Sequence, residues 1–472
     1  MAFQKQLPKK SEDLSGWYNA LILQAGLADY GPAKGTMIFR PYGYALWEAI
    51  QRELDPEIKK RGVENAYFPL FIPERLLHKE KQHIEGFSPE LAVVTIGGGE
   101  KLEEPLVIRP TSETIMYDAF SRWIKSWRDL PFQINQWANV VRWEKRTYMF
   151  LRTSEFLWQE GHTAHATHEE ALETMRWAMK TYTNLYRDFL ALPGYVGRKS
   201  ETEKFAGAVM TLTYEMMMPE GKALQSCTSH DLGQNFSKSF GIQFQDKDAV
   251  LKHPWQTSWG LSTRSVGGMI LVHGDDKGLR LPPRIAPIQV VILPVRTDDV
   301  LIQAAEAISL RLAAKGYRAK VDKSDASIGW KMNEWELKGV PMRIEVGKRE
   351  LETEAVTVAR RDSAEKMTIK LGELEEGIGR LLDEIHANLL AQATELLKKN
   401  THEVKEWPEF RALMGAQRGF LKAFWCGDAE CEAKIKEETK ATTRCLAEEG
   451  TSGKCVRCSK ASNESWYFGQ SY

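Results

Sequence analysis

The sequence predicts an α+β protein of several domains: a large antiparallel sheet with flanking helices, then a compact α/β domain, then a short cysteine-bearing tail. Three observations predict it. In "FLRTSEFLWQEGHTAH" (150–165), Phe156, Trp158, Glu160 and His162 fall on every second position, the period of a strand. At "RIAPIQVVILPVR" (284–296) the pattern changes to strands alternating with helices. Five of the six cysteines, Cys426, Cys431, Cys445, Cys455 and Cys458, crowd the end of the chain.

In order along the chain, residues 37–63 read as helix, with Leu46, Ile50 and Leu54 at spacing four. "DPE" (55–57) interrupts them, and Asp55 is placed to cap a restarted or kinked turn. "AYFPLFIPE" (66–74) reads as a strand crossed by Pro69, which removes a ladder donor and confines that strand to an edge or an interface. Short β-rich runs dominate 106–162 and 205–273, with a helical stretch at 168–190 between them. A strand at 284–296, a helix at 299–315 stopped by Gly316, and the strand "YRAKVD" open the α/β domain. The helical "IGWKMNEWELKG", the strands "PMRIEVGK" and "AVTVARR", and a long helix near 373–399 complete it. Boundaries fall near 285 and 400, giving domains 1–284, 285–399 and 400–472.

At 472 residues the chain has room for two or three cores. Its apolar and charged fractions, 43% and 27%, are ordinary for a globular protein. Sixty-four basic residues balance 64 acidic ones, which excludes an indiscriminate nucleic-acid or membrane-surface binder but leaves room for a local RNA-binding patch. "MAFQKQLPKKSEDLSGW" has no apolar core of signal-peptide length and no later stretch suits a membrane span, so a cytoplasmic protein is expected. In a reducing compartment the clustered cysteines favour metal over disulfides.

A strand buried on one face calls for Val, Ile or Leu there, yet the 156–162 row carries a carboxylate and an imidazole. Just upstream, Arg142 and Arg152 flank the turn-like "EKRTYM" (144–149). An arginine on each arm of a hairpin can grip a polyphosphate from two sides, and Glu144 can accept from the exocyclic amine of a base. A salt-bridged hairpin is the alternative on those residues alone. A third arginine, Arg264 in "WGLSTRSVGGMILVHGDD" (259–276), stands among small residues that allow close approach.

Together these segments resemble the signature motifs of the class II aminoacyl-tRNA synthetases. "VENAYFPLF" is similar to the dimer-interface motif, "VVRWE" with "FLRTSEFLWQEGH" to the second motif, and "GLSTRSVGGM" to the third. "RPTSETIMYDAFSRWIKSWRDLP" (109–131) and "TSHDLGQNFSKSFGI" (228–242) bring the resemblance to the prolyl-tRNA synthetases of the archaeal/eukaryotic-like form. It runs from about residue 15 to Tyr472, with no block like the bacterial form's editing domain between the second and third motifs. The implied fold is the class II antiparallel catalytic sheet, an α/β anticodon-binding domain and a small zinc-binding C-terminal domain.

The resemblance implies a homodimer that activates L-proline with ATP and transfers it to tRNA(Pro). Trp158 and Phe205 would enclose the proline ring, and Glu113, with or without Glu160, would meet its ammonium. Thr111, His162, His230 and Ser258 would complete the proline site; for His162 taken alone, a satisfied structural histidine is the stronger reading. Arg142, Arg152 and Arg264 would be the catalytic charges, Arg142 binding carboxylate and α-phosphate together. Glu144 would meet the adenine and Thr153 and Phe156 would bind ATP, with Gln225 and Thr228 near the nucleotide and Mg²⁺. Arg343, Glu345, Lys348 and Arg349 are the anticodon candidates; "GKRE" here departs from the family's "GPRD" by placing Lys348 at the proline. Cys227, inside "QSCTSH", reads as a small buried filler rather than a reactive thiol.

The tail reads C-x4-C (Cys426, Cys431) and C-x2-C (Cys455, Cys458), which suits a tetrahedral structural Zn²⁺, with Cys445 left over. A sibling synthetase for threonine would need a metal-ligating constellation in the pocket. A silent RNA-binding paralogue should have lost one of the three arginines. The aromatic end "WYFGQSY" reads as packed.

Overall fold

The computed structural model describes residues 7–77, 79 and 91–472; the first six residues of the N-terminal segment lie outside them. Its centre is a seven-stranded sheet in the order Glu64–Asn65, Phe132–Val141, Glu155–His165, Trp255–Ser262, Ala223–Gly233, Met210–Met217 and Tyr195–Arg198. Every neighbour pair is antiparallel except the first, which is parallel. Leu14–Gln24, Pro41–Lys60, His168–Asn184 and Arg264–His273 are helices whose buried side chains join one core, including Trp17, Leu46, Tyr182 and Met269. A second core forms around the helix Glu113–Trp123, with Met116, Tyr117 and Phe120 fully buried.

The helix Pro41–Lys60 runs straight through Pro56. An interior proline costs roughly 3 kcal/mol, yet Leu46, Ile50, Leu54 and Ile58 keep one buried stripe on both sides of it. That stripe decides the outcome. Asp55, rather than capping a restart, accepts from Asn65 Nδ2 at 2.9 Å and Trp137 Nε1 at 3.0 Å. The expected 66–74 strand is also revised: Glu64–Asn65 ends the large sheet, and Phe71–Pro73 edges a three-stranded sheet with Glu100–Ile108 and Ala92–Gly97. Pro69 lies between them, as a residue without a ladder donor should. The helix Glu113–Trp123 interrupts the run read as β-rich; its set Glu113, Met116, Tyr117 and Phe120 has helical spacing but opens on a carboxylate, which weakens the apolar pattern.

Beyond a connecting segment, Ala319–Val321, Val290–Pro294, Met342–Val346, Ala355–Arg360 and Lys366–Lys370 form a mixed sheet in that order, the first three parallel. Asp299–Ala314, Ile328–Leu337 and Leu374–Lys399 are its helices. The last strand was not foreseen, because "KMTIK" alternates lysine with only two apolar residues. The chain ends in a four-stranded sheet ordered Thr401–Glu403, Phe420–Phe424, Ala461–Gly469 and Thr442–Lys454, with helices Trp407–Ala416 and Ala429–Thr439. Its tail packs back: Ala223 N–H donates to Gln470 O at 2.7 Å, and the Tyr472 ring stacks on Tyr148 with centroids 6.3 Å apart. The aromatic end is therefore packed, against the loop between Arg142 and Arg152.

On the helix-covered face of the central strand, Gly161 pairs with Trp259. A Cβ at Gly161 would lie 2.1 Å from the indole, so the missing side chain is what lets Trp259 sit there. Gly161→Ala is expected to destabilise this unit by roughly 1–3 kcal/mol, the usual cost of overpacking. Thermal unfolding should show a midpoint several degrees lower; an unchanged midpoint would contradict the packing described.

Candidate functional site

Strand register builds the site. Across four adjacent strands His162 lies opposite Ser258, Ser258 opposite His230, and His230 opposite Thr211. One step along, Glu160 pairs with Gly260 and Gly260 with Thr228. Because side chains alternate faces by twos, both rows can point the same way. Gly260 contributes no side chain to its row, and a Cβ there would come 3.3 Å from Gln159 O. Above that gap is a cavity of about 200 Å³.

Part of the lining is acidic. Glu113 and Glu160 line it and are 4% and 1% exposed. Thr111 Oγ1 donates a short hydrogen bond to Glu113. Glu160 accepts from Ser112 Oγ in another short bond, from Gln136 Nε2 at 2.9 Å and from His162 Nε2 at 3.1 Å. The other His162 nitrogen meets Tyr117 OH at 3.0 Å. Both nitrogens of that ring are thus partnered, the satisfied-histidine arrangement. Burial alone would lower its pKa, but the hydrogen bond to Glu160 and the charges of Glu113 and Glu160 raise it.

His230 is the opposite case. Burial pushes its pKa down to about 3, so the ring is neutral at neutral pH. Thr211 Oγ1 accepts from Phe205 N–H at 3.0 Å and lies 2.9 Å from His230 Nδ1. The other ring nitrogen, Nε2, lies 3.0 Å from Thr228 Oγ1, so both nitrogens have hydroxyl partners. Phe205 lies 4.6 Å from the same ring, centroid to centroid. Trp158 faces the cavity from the central strand, and among the described residues its Nε1 and Ser258 Oγ are buried without hydrogen-bond partners.

Another part is basic. Arg142 follows the strand Phe132–Val141, lies over the rings of Phe156 and Trp158 at 5.4 and 5.7 Å, and donates to Pro110 O at 3.0 Å. Arg264 begins the helix Arg264–His273 and is anchored to Leu151 O and Gln225 O at 3.0 and 3.2 Å. Burial and the nearby charges of Arg142 and Arg152 push its guanidinium down to about 10, the mark of positive charge gathered without enough anions. Arg152 and Glu144, expected to contact a nucleotide separately, pair with each other at 2.7 Å outside the cavity lining. Thr153 also lies off the lining, its hydroxyl donating to Glu155 O at 2.7 Å. Arg142, Phe156, Gln225, Thr228 and Arg264 do line the cavity.

Sequence reasoning missed Lys199 and Glu203, which also line it, and the supporting Ser112, Gln136 and Tyr117. "GRKSETEK" reads as a solvated charged loop, and nothing local betrays that Lys199 is buried. Cys227 borders the cavity, but burial and the Glu215 charge push its thiol well up, so it stays protonated.

Elsewhere, Cys426, Cys431, Cys455 and Cys458 bring four sulfurs within 4.8 Å of one another. Cys431 to Cys455 is 3.8 Å and Cys426 to Cys458 is 3.6 Å. A tetrahedral zinc with Zn–S of about 2.3 Å has S–S edges of about 3.8 Å, so the donor set fits that ion. Cys445 is buried away from this cluster. In the mixed sheet, Arg343 and Lys366 both pair with Glu345, at 3.1 and 3.0 Å, while Lys348 and Arg349 open the short helix Lys348–Glu352. Among the described helices none is long and apolar enough to cross a membrane.

Three families match the chain: the tRNA synthetase class II core domain (G, H, P, S and T) over 95–273, the anticodon binding domain over 289–381, and the prolyl-tRNA synthetase C-terminal domain over 407–472. A Clostridioides difficile protein named proline–tRNA ligase 2 is 49% identical over 100% of this chain and 98% of its own length. A proline–tRNA ligase of Rubrobacter xylanophilus is 51% identical over 95% of each. The crystal structure of prolyl-tRNA synthetase from Cryptosporidium parvum complexed with L-proline and AMP superposes with a TM-score of 0.93 at 42% identity, covering 98% of this chain and 96% of that one.

The two buried histidines oppose each other in pH. His162, raised, adds stability that is fully present below the ordinary 6.5 and is lost as pH rises through its folded value. His230, lowered to about 3, costs stability as pH falls from 6.5 toward 3, because the unfolded chain takes the proton first. His230→Gln should therefore abolish up to about 2 kcal/mol of the stability lost between pH 7 and pH 5. Urea unfolding of both proteins at the two pH values checks this; equal losses would contradict it.

Proposed function

The chain belongs to the prolyl-tRNA synthetases, class II aminoacyl-tRNA synthetases, and from that footing we propose how its residues divide the reaction. It is a proline–tRNA ligase. The proline carboxylate attacks the α-phosphorus of ATP, the bond to the β-phosphate oxygen breaks, and pyrophosphate leaves. A hydroxyl of the terminal adenosine of tRNA(Pro) then attacks the prolyl-adenylate carbonyl and releases AMP. Neither step needs a side-chain nucleophile, so catalysis is positioning and charge stabilisation.

The observation that carries the assignment is the polarity of the cavity, acidic at Glu113 and Glu160 and basic at Arg142 and Arg264. A zwitterionic amino acid fits lengthwise, ammonium to the acids and carboxylate to Arg142. Glu113 with Thr111, with or without Glu160, meets the secondary ammonium. Trp158 and Phe205 enclose the apolar ring, while neutral His230 and Ser258 add polarity without charge. Arg142 bridges carboxylate and α-phosphate; Arg264 and Arg152 meet the remaining phosphates, which requires Arg152 to leave Glu144. Glu144, Thr153 and Phe156 hold the adenosine. Gln225 and Thr228 would lie near Mg²⁺ carried in with the ATP phosphates, where it would neutralise phosphate charge.

The divisions at 285 and 400 separate catalysis, anticodon binding and the cysteine unit. Arg343, Glu345, Lys348 and Arg349 are assigned to the anticodon, where the Arg343–Glu345 pair can exchange its partner for base edges and phosphate. Cys426, Cys431, Cys455 and Cys458 would hold Zn²⁺ and so tie the C-terminal sheet to its helix; four thiolates would leave no open position, which makes the role structural. Tyr67 and Phe71, 72% and 48% exposed beside Pro69, support a homodimer interface there. The protein is assigned to the cytoplasm.

In ATP–pyrophosphate exchange with each of the twenty amino acids, proline should dominate. Arg142→Ala should lower the proline-dependent rate by roughly 10²-fold or more; near-normal exchange in that variant overturns the assignment of Arg142. Metal analysis of purified protein should find about one zinc per chain, and its removal by a chelator should lower the thermal midpoint. Zinc-free protein with an unchanged midpoint would rule out the structural role.

A further inference from the structure

Two buried polar ties run from the C-terminal sheet into the cavity wall, and the reaction above uses neither. Residues 199–211 leave the strand Tyr195–Arg198, pass along the cavity and re-enter the sheet at Met210–Met217. This turn carries Lys199, Glu203 and Phe205, all lining the cavity. It is closed from within by Lys199 N–H donating to Thr211 O at 2.8 Å and by Phe205 N–H donating to Thr211 Oγ1.

From outside it is gripped by Glu432. This carboxylate, 4% exposed, accepts from Ser200 Oγ at 3.2 Å and makes short hydrogen bonds with the hydroxyls of Thr202 and Thr443. One turn further along the same helix, Lys436 Nζ stands 3.8 Å from Glu203. The second tie is Arg444, which donates to Glu215 Oε2 at 3.0 and 2.8 Å, while the other oxygen of Glu215 lies 3.9 Å from Lys199 Nζ. Glu215 is fully buried.

A buried carboxylate is costly unless donors surround it, so Glu432 has a strong preference for one position of its hydroxyl partners. Two of those partners, Ser200 and Thr202, lie between Lys199 and Phe205. Phe205 in turn reaches His230 by ring contact and through Thr211. Glu432 also follows Cys431 directly in the helix Ala429–Thr439, so the cysteine cluster fixes where the grip is applied.

We propose that Glu432 is a positioning residue for the amino-acid pocket: through Ser200 and Thr202 it sets Phe205 and Lys199 against the substrate ring, tuning affinity for the amino acid and leaving that for ATP alone. A cluster that only glued two domains together would affect both substrates, or merely stability. The inference rests on the proline-activating function above.

The test uses the full chain, with exchange rates measured against proline at saturating ATP and against ATP at saturating proline. Glu432→Ala should raise KM for proline about tenfold, with kcat and KM for ATP within about twofold, and Glu432→Gln should fall between. Ser200→Ala with Thr202→Val should raise KM for proline in the same way and add little to Glu432→Ala, because both cut one connection. If Glu432→Ala does not fold, as judged by its thermal transition and zinc content, the Ser200 and Thr202 pair tests the proposal from the other side. Folded, zinc-replete variants with unchanged KM for proline, or with both KM values raised alike, overturn it. A wild-type chain without proline-dependent exchange overturns the functional reading instead, and this inference with it.

Discussion

Glu160 is the constraint around which the site is organised. A carboxylate at 1% exposure must be met by donors, and those donors come from three places: Ser112 at the head of one helix, Gln136 on the neighbouring strand, and His162 two residues along its own. Gln136 passes the demand outward, its Oε1 accepting from Phe68 N–H at 2.5 Å. The segment around Pro69, the strand Phe132–Val141 and the helix Glu113–Trp123 are thus all fixed relative to one anion. Networks of this kind rigidify when every member is satisfied.

The site's electrostatics follow from that anchoring. The acids and the arginines line one cavity, and its two imidazoles are tuned in opposite senses by their surroundings alone. Beside the acids the ring gains basicity; among threonine hydroxyls and a phenyl ring it loses it. Around His230 the lining is polar but uncharged, which keeps desolvation cheap for an apolar part of a ligand.

Much of this was legible in the sequence wherever the signal was local. The alternation at 156–162, the three arginines, the cysteine spacing and the helical periods of 168–190 and 373–399 each depend on residues near one another, and the structure places elements there. What escaped depends on distant partners. Lys199 and Glu432 look like ordinary surface charges until segments more than 200 residues apart are packed together. Pro56 looks like a break because its local cost is visible and the buried stripe that offsets it is a tertiary fact. Glu113 hid a helix because a buried carboxylate occupies the place where periodicity needs an apolar residue.

The strand order has a consequence for the order in which the molecule is made. Trp255–Ser262 lies between Glu155–His165 and Ala223–Gly233, yet it is the last of the seven strands to leave the ribosome. Until it arrives, both neighbours present unpaired edges, and the row from His162 to His230 has a missing member. A nascent chain of about 250 residues is therefore a sheet in two halves with sticky margins, the state most exposed to mispairing during synthesis. The insertion of one strand both closes the sheet and creates the pocket, so in this chain the sheet is completed and the capacity to bind begins in the same event.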